Sequence, residues 1–196
     1  MFLERGFNGA TIEEIAQRAS VSKVTLYNRF GDKETLFEGV IRSHIVRMTA
    51  ALEMSHQAGM PLETRLNLFG ETLLTFLFDG DQVVFERMLA QEIAQIPALA
   101  ERFFRAGPGS CRDQLAAELS GAQEDGDLRI DDAILAAEDL LSLWKGFCDI
   151  ELKFGILSPP DVGQIRAKAA RGTATFLRAY GAGARYHHHH PQGETV

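Results

Sequence analysis

The sequence predicts an all-α protein: a small N-terminal helical unit followed by a larger helical body. Three observations predict it. Apolar residues recur at helical spacing along nearly the whole chain. No segment alternates apolar and polar residues convincingly enough to read as a strand. Helix start and stop signals punctuate the periodic stretches, notably Pro97, Gly107-Pro108-Gly109 and Ser158-Pro159-Pro160.

The elements follow in order. Ile12, Ile15, Ala16 and Ala19 mark one helical face, and Thr11 with Glu14 writes a capping box at its start. Ser22 opens a short helix over 22–30 whose inward pair is Leu26 and Phe30. Gly31 ends it and Asp32 caps the next. That next helix, over 33–54, carries Leu36, Phe37, Val40, Ile41, Ile45, Met48 and Leu52 along one side. It spans ~33 Å at 1.5 Å per residue. Gly59-Met60-Pro61 makes the clearest break. Helices are then expected at 61–79, 81–95, 97–106, 109–121, 131–155 and 159–180. The units divide as 1–45, 46–181 and a frayed Gly-, Ala- and His-rich tail over 182–196.

Composition excludes several classes. The chain has 196 residues, 45% hydrophobic and 24% charged, a globular balance. A net charge of -7 argues against a surface coated in positive charge. Cys111 and Cys148 cannot make a disulfide framework or a four-cysteine metal site. No apolar run reaches a membrane span, and the N-terminus lacks a signal-peptide pattern. A soluble, reduced, cytoplasmic protein without membrane partners is the expectation. No P-loop, H-E-x-x-H or Ser-His-Asp ordering is present, so neither an enzyme nor a cofactor is expected.

Charge is unevenly placed. Residues 1–50 carry seven Lys or Arg against six Asp or Glu, and the excess acid belongs to the body. Between 18 and 33, Arg18, Lys23, Arg29 and Lys33 face only Asp32. Three short helices with a tight turn at Ala19-Ser20-Val21 describe a helix-turn-helix. The segment 22–30 projects Lys23, Val24, Thr25, Asn28 and Arg29 away from Leu26 and Phe30. Amides and guanidinium groups suit base edges, and hydroxyl and ammonium groups suit phosphates. Lys33, at a helix start, opposes the dipole unless a phosphate is shared there. Taken alone, the same polar residues also read as a solvated face, and Tyr27 as a packing residue.

The run from Gly6 to Phe37, GFNGATIEEIAQRASVSKVTLYNRFGDKETLF, resembles the DNA-binding domain of TetR-family regulators. The resemblance implies that Thr11, Thr25, Tyr27 and Lys33 contact the DNA backbone. Lys23, Val24 and Asn28 would lie along the major groove, with Leu26 and Phe30 holding the recognition helix. Ser20 replaces the glycine usual in the turn, which costs strain if φ is positive there. Val24 stands where a small residue is common. Arg29, where His or Tyr is common, would add a phosphate or guanine contact. The chain starts five residues before Gly6, so most of the family's first helix is expected to be missing.

The body resembles the AefR-like branch through Glu92–Ala100, Gly126–Asp132, Ala136-Ala137-Glu138 and Leu143-Trp144-Lys145-Gly146. This implies a ligand-binding and dimerisation domain. A cavity bordered by Phe69, Leu73, Phe76, Met88, Glu92, Phe103 and Trp144 is expected, with Glu92 as polar anchor. The plainer reading makes each aromatic residue simple core and Glu92 a surface carboxylate. Ile165, Ala169, Thr173 and Phe176, with Leu143 and Phe147 on the preceding helix, suggest a four-helix dimer interface. Packing within one chain is the alternative.

His187–His190 reads as a tail rather than a metal site, and no metal is expected. The expected function is therefore a homodimeric repressor released from a palindromic operator by a small, largely apolar effector. The helix 33–54 would serve as lever. The rivals are a small-molecule binding protein that has lost operator binding and an all-α enzyme using Glu92 as base.

Overall fold

The computed structural model describes residues 1–53, 59–93 and 97–183. Their helices are α1 (Phe2–Gly9), α2 (Ile12–Arg18), α3 (Lys23–Phe30), α4 (Lys33–Glu53), α5 (Leu62–Leu77), α6 (Gly80–Ile93), α7 (Pro97–Ala106), α8 (Pro108–Glu124), α9 (Ala133–Lys153) and α10 (Val162–Tyr180). The fold is all-α. The one β feature among the described residues is an isolated antiparallel bridge, Leu128 to Gly181. It ties the end of α10 to the α8–α9 loop, where Arg129 N donates to Tyr180 O at 2.8 Å.

The local signals act as the sequence requires. Thr11 Oγ1 accepts from Glu14 N, and Glu14 reaches back to Thr11 N, closing the capping box. Ser22 Oγ accepts from Thr25 N at 3.0 Å, and Gly31 ends α3 at φ 79°. Asp32 Oδ1 accepts from Thr35 N at 2.7 Å at the start of α4. The bounds differ from expectation by up to three residues, where frayed ends shift most easily.

The first helix is present in short form. Phe2 is buried against Phe37 at 5.1 Å between ring centroids, and Phe7 meets the same ring at 5.1 Å. Gly6 interrupts α1 at φ 69°. Ion pairs fasten it to α2, Arg5 to Glu14 at 2.6 Å and Arg18 to Glu4 at 2.5 Å.

Two cores result. The body core joins α5, α8, α9 and α10 around Leu66, Leu74, Leu115, Leu140, Trp144 and Phe176. The second core gathers Phe2, Ile12, Ala16, Leu26, Leu36, Phe37 and Ile41, and also Phe85, Met88 and Leu89 of α6. A boundary at residue 45 therefore divides the chain but not the packing: α6 belongs to the N-terminal core.

Candidate nucleic-acid interface and cavity

The turn before α3 holds Ser20 at φ 56°, the one non-glycine residue with positive φ among those described. That left-handed step redirects the chain so that Leu26 is buried while Lys23, Val24, Thr25, Tyr27, Asn28 and Arg29 are exposed. One turn of backbone thus presents a polar face and anchors it from behind.

Several of these side chains already have partners. Lys23 pairs with Glu13 of α2, and its ammonium lies 5.5 Å from the Tyr27 ring centroid. Its hydrogen bond to Glu13 raises the Lys23 pKa and lowers that of Glu13. Lys33 is half-buried, with its ammonium 4.5 Å from the centroid of Phe7. The α1 ring thereby sets the position of that cation through a cation–π contact. The Arg29 guanidinium lies 5.6 Å from the Phe30 centroid. The Thr11 hydroxyl donates to Glu14 Oε2 at 2.9 Å, and the Thr25 hydroxyl lies 2.8 Å from that of Ser22. Both hydroxyl groups are committed to helix caps.

A cavity of about 700 Å³ opens in the body between α5, α6, α7, α8 and α9. Of the residues expected there, Leu73, Phe76 and Phe103 line it. Three others do not. Trp144 is fully buried in the body core, where its Nε1 donates to Thr173 Oγ1 at 3.1 Å. Phe69 stacks on that indole at 5.9 Å. Met88 faces the N-terminal core from the other side of α6. The Glu92 side chain lies outside the described residues, as do His187–His190.

The polar wall comes from residues the sequence reading passed over. Lys153 Nζ bridges Glu86 Oε2 at 2.9 Å and Asp149 Oδ2 at 3.0 Å. Burial pulls its pKa down, but the Glu86 and Asp149 carboxylates outweigh this and raise it. Gln82 Nε2 donates to Glu86 Oε1 at 3.1 Å. Cys111, on the same wall, is a neutral thiol: burial pushes it up to about 12 despite the opposing charge of Lys145. The signal for this wall was available, because Leu141, Lys145, Asp149 and Lys153 repeat at i, i+4 on α9.

The expected association stripe on α10 requires correction. Ile165, Ala169, Thr173 and Phe176 are buried within the chain, where α10 packs on α5 and α9. They serve the body core, where Thr173 accepts the Trp144 indole hydrogen bond and Phe176 stacks on Tyr180. Leu143 and Phe147 do face outward, Phe147 at 82% exposure, in a row with Leu135, Ile150 and Phe154.

Comparison with known proteins agrees with this architecture. Residues 1–40 match the family described as bacterial regulatory proteins, tetR family. Residues 64–182 match the AefR-like transcriptional repressor, C-terminal domain. The HTH-type transcriptional activator FasR of Mycolicibacterium smegmatis is 29% identical over 89 residues, 44% of this chain and 41% of that protein. The chain thus aligns with only about two fifths of that relative's length.

Among solved structures, the flavonoid-responsive regulator FrrA is 31% identical with a TM-score of 0.75, covering 93% of this chain and 92% of that one. A TetR-family transcriptional regulator from Mesorhizobium loti superposes with a TM-score of 0.79 at 24% identity, over 92% and 91% of the two chains. These relatives are transcriptional regulators, not enzymes. Matched at both its DNA-binding head and its helical body, the chain belongs to the TetR family of bacterial transcriptional regulators.

Proposed function

We propose that the protein is a homodimeric, ligand-responsive repressor of a palindromic operator. One observation carries the reading: α6 forms part of the cavity wall and part of the core beneath the recognition helix. Phe85 and Leu89 line the cavity, and both also pack in the N-terminal core. Each α3 enters a major groove, with half-sites ~34 Å apart or a multiple of that, as two-fold symmetry demands. Tyr27, Lys33 and Arg29 hold phosphates, and Lys23, Val24 and Asn28 meet the groove. Lys23 exchanges Glu13 for DNA on binding, because both partners are exposed and their pair is easily surrendered.

Occupation of the cavity moves α6 against the head and alters the spacing of the two recognition helices. DNA and effector then oppose each other with equal coupling in both directions. The expected lever over 33–54 is thereby joined by a shorter route through α6. The outward row on α9 supplies the dimer contact, since an apolar patch of this kind is uncommon on a monomer.

The test is a fluorescence-anisotropy titration against the DNA upstream of the protein's own gene at several salt concentrations. Tyr27→Ala and Lys33→Ala are expected to weaken binding across all sequences. Lys33→Ala should also lower the steepness of the log–log salt dependence by ~1 for the lost cationic phosphate contact, whereas the uncharged Tyr27 should leave it unchanged. Unchanged affinity in both variants removes the phosphate assignment. No binding by the wild-type chain to any upstream segment removes the repressor reading.

A further inference from the structure

The charges of the cavity are unevenly paired, and this points to the class of molecule it takes. Five charged side chains line it among the described residues: Glu86, Arg87, Lys145, Asp149 and Lys153. Arg87 is solvent-exposed. Glu86 and Asp149 are both held by Lys153, at 2.9 and 3.0 Å. Asp149 follows Lys145 across the break that Gly146 makes in α9 at φ 49°, and its carboxylate is turned to Lys153. Lys145 is left half-buried, with no carboxylate within ion-pair distance among the described residues. An ammonium in this position offers an incoming anion a charge-assisted contact that no carboxylate among the described residues takes up.

The rest of the wall is apolar or aromatic, with Leu73, Phe76, Phe85 and Phe103 opposite α9. The thiol of Cys111, near Lys145, stays neutral and supplies no charge. We infer that the effector is an amphiphilic monoanion. Its aromatic or alkyl body lies against Phe76, Phe85 and Phe103, and one carboxylate, phenolate or sulfonate group is held by Lys145. A neutral molecule leaves Lys145 unmatched, and a cation is repelled by it. A dianion brings one charge too many. This rests on the reading of the cavity as the effector site and narrows it to a chemical class.

The test uses two dyes of nearly the same shape, the anion 8-anilinonaphthalene-1-sulfonate and the neutral N-phenyl-1-naphthylamine. Each is titrated by fluorescence into the full chain and into its Lys145→Met, Lys145→Arg and Leu73→Trp variants. The wild type is expected to bind the anion about tenfold or more tightly than the neutral dye, as a charge-assisted contact gives. Lys145→Met should erase that preference while keeping neutral-dye affinity, which also certifies an intact cavity. Lys145→Arg should retain the preference. Leu73→Trp should displace both dyes by filling the site.

Equal affinity for the two dyes, both displaced by Leu73→Trp, overturns the anion assignment and leaves the cavity standing. Loss of both dyes together in Lys145→Met also overturns it, because the lysine then shapes the cavity rather than pairing with the anion. Dye binding absent from the wild type, or surviving Leu73→Trp, overturns the cavity as effector site and the anchor with it.

Discussion

Ser20 sits at φ 56°, where an L side chain crowds the neighbouring carbonyl and glycine does not. Replacing it with glycine removes that strain and leaves Leu26 and the exposed α3 face in place. Ser20→Gly is expected to raise stability by about 1 kcal/mol, read by urea denaturation. A decrease shows that the Ser20 side chain contributes more than its strain costs. Trp144 poses the opposite problem. Its indole is clasped between two glycines: a Cβ on Gly70 would come within 2.7 Å of it, and one on Gly172 within 2.5 Å. Gly172 lies on α10 also close to the backbone of Leu143, so the indole cannot simply slide away. Gly172→Ala is expected to cost about 1–3 kcal/mol by overpacking, measured in the same experiment.

This clasp explains which residue assignments were legible and which were not. Gly172 and Thr173 of α10 leave room for a close neighbour. What approaches is the Trp144 ring, assigned from sequence to the cavity. Helical periodicity names the face of a residue but not the element it meets, so both assignments failed for one reason. Caps are different, because Thr11 with Glu14 and Ser22 with Thr25 satisfy backbone groups a few residues away. Their meaning is complete within the local sequence.

At the scale of elements, α9 divides its sides among three tasks. Leu140 and Trp144 enter the body core, Lys145 and Asp149 line the cavity, and Leu143, Phe147 and Ile150 face out. A helix with apolar residues outside as well as inside asks for a partner, and the proposed dimer supplies one. Phe147→Glu is expected to give a monomer in analytical ultracentrifugation, with unfolding midpoint little changed because the side chain is outside the core. A dimer of unchanged mass places the interface elsewhere.

The starts of α2 and α4 in the head depend instead on carboxylate caps. Asp32 is held below its usual pKa by the Thr35 backbone N–H, and Glu14 chiefly by hydrogen bonds from Thr11. A carboxyl whose pKa is depressed by folding stabilises the fold above its unfolded pKa. That contribution fades as pH falls through the lower folded value. Acidification below the ordinary carboxylate range should therefore loosen α2 and α4, seen as lost helical circular dichroism. Asp32→Asn should reduce the pH dependence, and an identical acid profile would mean that the cap carries no linkage.

The whole molecule is organised around two cores that do not follow the chain order. Phe85, Met88 and Leu89 reach across from the body into the head, where they pack with Phe2, Phe37 and Ile41. The head is therefore completed by an element some forty residues beyond its own end, which no local pattern in α6 announces. Phe85 is fully buried, and Phe85→Ala is expected to destabilise the head by about 3–5 kcal/mol. The body core around Trp144 does not contain Phe85 and should hold. Because Trp144 is the one tryptophan, its fluorescence follows the body alone, whereas circular dichroism follows every helix. In the variant the two signals should separate under denaturant, dichroism falling first and tryptophan emission at its original midpoint. Operator binding should be lost with the first transition. If both signals move together to lower denaturant, head and body unfold as one cooperative unit, and α6 transmits stability across the whole chain rather than supporting the head alone.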